Sequence, residues 1–544
     1  MTKTNSLKGG TPWFVKGDLN GFFGLFSNSL TNFLTAIGLL AGAIMMPADI
    51  VFGKIVPGAA ITIALGNFIL AFMAKRMSVR ENRPDVTAMP YGLSVPHYFA
   101  VALGVILPTY VVTQDWMIAW SAGLVWNLIQ GVIMFIGSFV GPYIKKAMPR
   151  AAMLGALAGF ALTFISGNPI GEMFTIPYIG LSCFAILMVG WLANKRLPFG
   201  IPAGAFAILI GTIIAWLSGN MSTVAVSEAV GAFNIPVPGF TFNMFADGFK
   251  QIAPFLPAAI PLGIYDFLES LNNLESAHVA GEDYPIAKSM MVPAILTMLG
   301  ACIGSVFPTI IYIGHPGWKA TGARIGYSIF TGVAILLLSF TGLLRLVSAV
   351  IPLAALFPIL VYIGMVIGKQ AFETTEPRHM PAVILAFLPY IGSFLISKIG
   401  SVVNSVNSAL ATAGVNATVA LGGAGGDGVV SVSNALLSSN GVPYAGWARL
   451  AQGDIIIAML LSAIVIYIID RNYKRAAIYC GAGAALSFFG IIHGASFGFN
   501  ISPIVSIGYL AAGVVLLFMM FYRKEDNVSD QVLLERETTK AKKE

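Results

Sequence analysis

Apolar residues in this chain are gathered into long runs that few charges interrupt, and no other feature limits its fold as strongly. A helix that crosses a bilayer needs about 20 consecutive, mostly apolar residues. Sixteen windows of that character can be drawn: 21–45, 51–74, 87–109, 116–140, 148–166, 173–193, 199–218, 252–274, 286–306, 308–325, 327–345, 350–368, 380–397, 454–470, 476–493 and 503–522. Of 544 residues, 57% belong to the set AVILMFWYC and only 10% are charged, where a soluble domain carries roughly 25% charged residues. With 31 Lys+Arg and 24 Asp+Glu, a soluble surface of this size could not be solvated. A soluble enzyme, a nucleic-acid binder and a secreted disulfide scaffold are thereby excluded. The expected class is an all-α polytopic protein embedded in membrane lipid.

The basic residues orient the spans. Cytoplasmic loops carry the excess of Lys and Arg. With the N-terminus (Lys3, Lys8, Lys16) in the cytoplasm and strict alternation, the loops carrying Lys75-Arg76 and Arg80, Lys145-Lys146 with Arg150, Lys195-Arg196 and Arg471 with Lys474-Arg475 all fall inside. So does the tail from Arg523-Lys524, and only Lys54, Lys250, Arg345, Lys398 and Arg449 face out. The net charge of +7 therefore reports basic loops. The expected location is the cytoplasmic (inner) cell membrane, with both termini cytoplasmic. The polar first 20 residues argue against a cleaved leader. Cys183, Cys302 and Cys480 are far apart and suggest neither a metal cluster nor a disulfide framework.

Ionisable residues at membrane depth are costly and mark functional sites. Span 8 carries Asp266, Glu269 and Asn273 at i, i+3 and i+7, on one helix face that cannot point at lipid. The plainer alternative is that both acids sit near a helix end and pair with a loop cation. Span 1 has a polar face of Ser27, Asn28, Thr31 and Asn32. Spans 3 and 10 read as broken. The first contains Met89-Pro90-Tyr91-Gly92-Leu93-Ser94-Val95-Pro96-His97-Tyr98-Phe99, the second Pro308-Thr309 followed by Tyr312, Gly314-His315-Pro316-Gly317. Such clusters of Pro, Gly and His cannot form an undisturbed helix. Irregular backbone at membrane depth is tolerated only where protein or a wet cavity buries it. Broken segments at matching places in two halves point to a transporter substrate site.

Spans 3 and 10 are seven apart, as are spans 1 and 8. Seven is odd, so a second unit of seven spans would be inverted in the membrane. The expected organisation is a cytoplasmic N-terminus (1–20), a first seven-span repeat (21–218), an external loop (219–251), a second seven-span repeat (252–470) holding an external insert (398–453), two additional spans (471–522) and a cytoplasmic tail (523–544). The insert contains Gly422-Gly423-Ala424-Gly425-Gly426-Asp427-Gly428 without a following Gly-Lys-Ser/Thr, which favours a flexible or re-entrant loop over a phosphate cradle.

These same residues resemble the nucleobase–ascorbate transporter family, the xanthine/uracil permeases or nucleobase–cation symporters, and most of all its AzgA-like purine branch. Ala88 to Ala100 is similar to the branch's span 3 pattern. Asp266-Phe267-Leu268-Glu269-Ser270 is similar to its span 8 motif. Tyr312 and Gly317 match its span 10. The resemblance covers about residues 17–397. It departs where the family has an acid or amide in span 10, since this chain has Gly314 with His315 beside it. It implies a core domain plus a gate domain, an elevator-like movement and a commonly homodimeric assembly. It also implies that Glu269 binds the base ring.

The expected activity is secondary active import of a purine, uracil, xanthine or similar planar base, coupled to protons or another cation. Glu269 would accept N–H bonds from the base, and charge-assisted bonds of this kind are strong in a dry site. Asp266, or Glu269 itself, would carry the coupling ion. Backbone N–H groups near Tyr91–Ser94 and Gly314–Gly317 would hold the remaining acceptors, and Tyr98, Phe99 or Tyr312 would stack on the ring. His97, His315, Asn28 and Asn273 complete the candidate set, although aromatic and histidine side chains between helices more often serve packing. No metal site and no cofactor are expected. Neither a zinc pair, a nucleophile elbow nor a phosphate loop with lysine is present to suggest an enzyme. The alternative is a small-anion transporter of the related inverted seven-span fold, or, less in keeping with one clustered pocket, a channel.

Overall fold

A computed structural model of the chain describes residues 10–231, 239–415, 417–422 and 429–522. Among these residues, seven helices are long and apolar enough to cross a membrane, or eight if one sharply bent pair is counted as a span. The remaining predicted spans are shorter apolar helices, broken segments and two helices, Leu256–Val279 and Tyr473–Phe488, that are less apolar. In order, the spans are Asp18–Ala41, Ala48–Glu81, the broken span 3, Trp116–Ala147, Arg150–Thr175, Pro177–Leu192, Ala203–Leu217, Leu256–Val279, Ile286–Cys302, the broken span 10, Gly326–Phe340, Leu353–Glu373, Pro377–Thr412, Asp454–Ile469, Tyr473–Phe488 and Pro503–Phe521.

The two broken spans meet. Strand β1 (Tyr91–Leu93) pairs antiparallel with strand β2 (Thr309–Ile311), Tyr91 opposite Ile311 and Leu93 opposite Thr309. The pairing is extended by Ser94 N–H to Pro308 O at 2.9 Å and by Tyr312 N–H to Pro90 O at 2.8 Å. The prolines on either side prevent helix here, and an extended chain at membrane depth must find partners for its N–H and C=O groups. Each strand supplies them to the other. After the strands, one chain turns into the helix beginning Pro96–Val101 and the other into the short helix His315–Ala320. Proline at a first helical turn costs no hydrogen bond.

The antiparallel register means spans 3 and 10 run in opposite directions, as an inverted repeat requires. The packing partners repeat with the same offset. Span 1 lies on span 11 as span 8 lies on span 4, and span 2 lies on span 11 as span 9 lies on span 4. Spans 6 and 7 pack together as do spans 13 and 14, and span 5 lies on span 12 across the pseudo-axis. Spans 1–4 with 8–11 form one bundle and spans 5–7 with 12–14 a second. Spans 15 and 16 pack on each other, with span 15 against span 14.

Helices in lipid gain little from the hydrophobic effect on meeting one another, so small residues that permit close approach carry the packing. Gly66 of span 2 is such a position: a Cβ there would stand 2.1 Å from the Tyr91 ring. That ring lies flat on the helix and its hydroxyl reaches Thr309 Oγ1 at 2.6 Å.

Two segments differ from the sequence expectation. Span 10 is a strand plus six helical residues rather than a span over 308–325. The helix of span 13 runs on to Thr412, past the boundary at 397. Its outer half reads as loop because it is rich in Ser and Asn. The hydroxyls instead bond back one turn, Ser401 to Ser397 O, Ser405 to Ser401 O and Ser408 to Asn404 O, which removes their competition with the helix. The chain returns through the parallel pair Thr418–Leu421 and Val429–Val432 to the helix Tyr444–Ala451, which meets span 14 at 92°. The glycine run 423–428 lies outside the described residues.

Candidate functional site

The strand pair fixes what surrounds span 8. Ser94 follows β1 directly, and its hydroxyl donates to Asp266 Oδ1 at 2.6 Å. His97 Nδ1 lies 3.0 Å from the same hydroxyl and 3.3 Å from Asp266 Oδ1. Because the serine proton is committed to the carboxylate, we assign the histidine proton to Nδ1. Nε2 of His97, Oδ2 of Asp266, Oε2 of Glu269 and the hydroxyl of Tyr98 are buried without a hydrogen-bond partner among the described residues. Asp266 is 0% exposed and Glu269 2%. Buried polar atoms normally have partners, so a group of this size calls for explanation by water or ligand.

Tyr98, Tyr312, Tyr265 and Tyr390 each interact electrostatically with Glu269. The Tyr312 hydroxyl accepts from Asn32 Nδ2 at 2.7 Å, and Asn32 lies 3.4 Å from Asn28 Oδ1. The Nδ2 of Asn28 is buried and unpartnered. Asp454, the first residue of span 14, also interacts with Glu269. It is 8% exposed. No Lys or Arg among the described residues forms an ion pair with Asp266, Glu269 or Asp454. The region around span 8 therefore buries two carboxylates, Asp266 and Glu269, with the Ser94 hydroxyl and His97 against the first of them.

The other candidates fall elsewhere or serve the frame. Asn273 Nδ2 donates to Ile311 O at 3.0 Å, tying span 8 to the outer edge of β2. Tyr91 points into span 2, as described above. Gly314 holds φ +116 ahead of the short helix, a conformation that favours glycine. His315 turns away from the acids of span 8: its Nε2 lies 3.2 Å from Thr87 O and 3.5 Å from Glu282 Oε2. The side chain of Phe99 lies outside the described residues. Tyr98 is edge-on to Phe307, 5.5 Å between ring centres.

His315 belongs to a charged layer on the face that carries the N-terminus. Glu282, fully buried, accepts from Lys319 Nζ at 2.5 Å and from Thr87 N–H at 3.3 Å. Burial pushes the Glu282 carboxyl above its ordinary range, and the Lys319 ammonium opposes that rise. Asp85 is held below the usual range by hydrogen bonds from Arg83, at 3.0 and 3.1 Å. A cavity of about 160 Å³ lined by Lys54, Trp120, Thr241 and Met244 lies apart from the acids of span 8. Among the described residues no group of three His, Cys, Asp or Glu side chains could hold a metal ion.

Asp454 and Tyr390 were not among the sequence candidates. The acid opens an apolar run directly after Gly453 and reads as a span boundary. The tyrosine sits within an apolar span with nothing to distinguish it from packing. A lone acid at the start of a span that follows a long polar insert is the signal that could have found the site.

No protein-family model matches the chain, and no curated protein sequence does. Among solved structures it is similar to the transmembrane domain of a cyanobacterium bicarbonate transporter, BicA, at 15% identity and a TM-score of 0.39, covering 69% of this chain and 92% of that one. It is also similar to SLC26A9, at 14% identity and a TM-score of 0.40, covering 68% of this chain and 61% of that one. Membership of the nucleobase–ascorbate family has no support in these comparisons. The inverted-repeat fold rests on the antiparallel strand pair and the seven-span offset of the packing partners.

Proposed function

We propose that this polytopic membrane protein is a secondary active transporter whose solute binds between span 8 and the crossing of spans 3 and 10. The observation that carries this reading is the free carboxylate oxygen of Glu269, buried beside Asp266 with no cationic side chain paired to either. A site of this kind attracts a solute that brings its own N–H or O–H donors, or a proton. A planar base fits: its ring N–H groups would donate to Glu269, and Tyr98 or Tyr312 would lie against the ring. Ser94 and His97 would hold Asp266 in place. Import coupled to protons, with both termini on the cytoplasmic side, completes the proposal.

The second reading keeps the fold and changes the solute to a small inorganic or carboxylic anion. It is the class that the name of one solved structure suggests, although a likeness of that size does not choose a substrate. Coulomb's law weighs against it, because the anion would enter a dry site lined by carboxylates. Cells expressing the protein would be given labelled hypoxanthine, xanthine, uracil or bicarbonate, with and without a protonophore. Protonophore-sensitive uptake of a base supports the first reading, and Glu269→Gln should then lower it at least tenfold, about the loss of one charge-assisted bond. Uptake of bicarbonate but of no base would establish the second.

A further inference from the structure

The cavity that lies apart from span 8 plays no part in the transport reading, yet it holds an uncompensated charge. It measures about 160 Å³, and the start of span 2, the start of span 4, the segment before span 8 and the turn after span 9 meet around it. Span 2 carries Lys54 near its first residues and bonds the N-terminal segment at its last, so the cavity is on the face opposite the N-terminus. We propose that this cavity binds a small organic monoanion, a planar carboxylate about the size of benzoate, with Lys54 as counter-charge and the Trp120 ring as its apolar wall.

The walls are fixed by bonds that use up several acceptors around the cavity. Thr241 N–H donates to Cys302 O at 2.9 Å, and Thr241 Oγ1 donates to Ala301 O at 2.7 Å. Trp120 Nε1 donates to Gly304 O at 3.1 Å. Gly304 holds φ +107, and a Cβ there would stand 2.9 Å from Lys54 O, so glycine lets this turn lie against span 2. A cavity held open in this way need not be ordered by its ligand, which lowers the cost of binding.

The groups left over are donors. Lys54 is half-buried, and its ammonium stands over the Trp120 ring, 5.4 Å from the centroid. Among the described residues no carboxylate or carbonyl accepts a bond from it, and the Asn243 side chain and Gly304 N–H also lack partners. No Asp or Glu lines the cavity. Segment 232–238, which leads into it, contains none in its sequence. The acids nearest in sequence are used elsewhere or face out. Asp115 caps span 4 through Met117 N–H at 2.7 Å, Asp247 pairs with Lys250 at 2.8 Å, and Asp49 is exposed. A partly buried cation without a counter-charge is costly, and a ligand carboxylate would supply one.

The opposite face shows the same construction completed. Thr11 ties the segment before span 1 to the end of span 2, by its N–H to Ser78 Oγ at 3.1 Å and its Oγ1 to Arg83 O at 3.1 Å. Thr241 does the same for the segment before span 8 and the end of span 9, seven spans on. Near Thr11, Lys75 Nζ stands 5.7 Å over the Trp13 ring and also donates to Thr11 O at 2.6 Å. Phe14 fills the space beside it, stacked on Phe330 with ring centres 4.9 Å apart. The chain thus provides both an oxygen for the lysine and a ring for the gap on one face, and neither on the other. A cavity of about 150 Å³ accepts a benzene ring. A carboxylate carried on such a ring would bring both missing parts.

The test measures saturable binding of labelled benzoate to the full chain in nanodiscs of phosphatidylcholine near neutral pH. Benzamide, which has the same ring without the charge, should bind wild type about tenfold more weakly or worse. Lys54→Met should lower benzoate affinity about tenfold or more, the loss of one charge-assisted bond. Lys54→Arg should restore most of it, and Lys250→Met, an exposed lysine of the segment before span 8, should change nothing. Absence of saturable binding, benzamide binding as tight as benzoate, or equal benzoate affinity in wild type and Lys54→Met overturns the inference. If Lys54→Met loses co-purified phosphatidylglycerol while its benzoate affinity stands, the lysine serves a lipid phosphate and the inference is likewise overturned. The benzamide comparison is made on wild type and stands even where a variant fails to fold.

Discussion

A single buried carboxylate shows how finely charge is balanced in this protein. Glu282 has no exposed surface, yet it is paired with Lys319, and Arg83 lies 3.9 Å away. Removing one partner of a buried pair is costly because the other charge stays behind. Lys319→Met should therefore lower stability by about 3 kcal/mol near neutral pH. The sign of its pH dependence follows from the direction of the shift. A carboxyl raised above its unfolded value contributes stability that is full below that value and is lost as pH rises through the folded value. Without the ammonium the rise is larger, so the deficit of the variant should be small at pH 5 and grow toward pH 8. Thermal unfolding of purified protein in detergent at several pH values checks this, and a deficit that is equal or larger in acid would refute it. Sequence reading placed His315 among the site residues. Its partners are Thr87 and Glu282 of this layer. A histidine between two prolines and glycines looks alike whether it faces a substrate or a loop carbonyl; only the partner, Thr87, separated by more than two hundred positions, decides.

At the scale of elements, the strand crossing is the feature on which the pocket depends. It places Ser94 against Asp266, and it is wedged in place by the contact of Tyr91 with Gly66. Gly66→Ala would put a methyl group into the Tyr91 ring. That forces the ring off Thr309 and disturbs β1, at a cost of about 1–3 kcal/mol for overpacking. Gly53→Ala, where a Cβ meets nothing within 4 Å, is the control and should be neutral. A melting temperature that falls equally in both, or in neither, would show that the wedge does not matter. The breaks themselves were legible, because prolines and glycines at membrane depth have few other uses. The polar face of span 8 was legible for the same reason. The register of the strands was not, since three residues on each side carry no pattern. Nor was the long helix of span 13, where serines that usually mark loops bond back to their own turn. Asp454 was hidden by the same error: with a loop drawn up to 453, an acid at 454 looks like an edge.

For the molecule as a whole, the issue is what holds the two bundles in the arrangement that buries Asp266 and Glu269. Span 8 is the hinge of the question, since its pocket residues and its contacts with the second bundle alternate along one helix. Toward its C-terminal end, Ser276 Oγ donates to Gln370 Oε1 at 2.5 Å while Gln370 Nε2 donates back to Ser276 O at 2.8 Å. Beside it, Glu275 forms an ion pair with Lys145 of its own bundle at 2.9 Å and accepts from Arg150 of span 5 at 2.8 Å. The Ser276–Gln370 and Glu275–Arg150 contacts both join the bundles on the face that carries the N-terminus, but they are not equal. The Arg150 side chain is 53% exposed, and water screens its pair with Glu275 to a fraction of a kcal/mol, or about 1 at most. The Ser276–Gln370 pair is buried and reciprocal, so its loss leaves polar atoms unsatisfied at about 1–3 kcal/mol. That energy is enough to shift a two-state equilibrium about tenfold. With Ser270→Cys as reporter, in a background lacking Cys183, Cys302 and Cys480, Gln370→Ala should raise labelling by a membrane-impermeant maleimide about tenfold, from the N-terminal face alone. Arg150→Ala should change it by no more than about twofold. The reverse ranking, or equal labelling from both faces, would mean that the buried pair is ordinary packing and that the seal lies elsewhere. The expected ranking would instead identify one reciprocal amide–hydroxyl contact as the latch that must open before the acids of the pocket meet water.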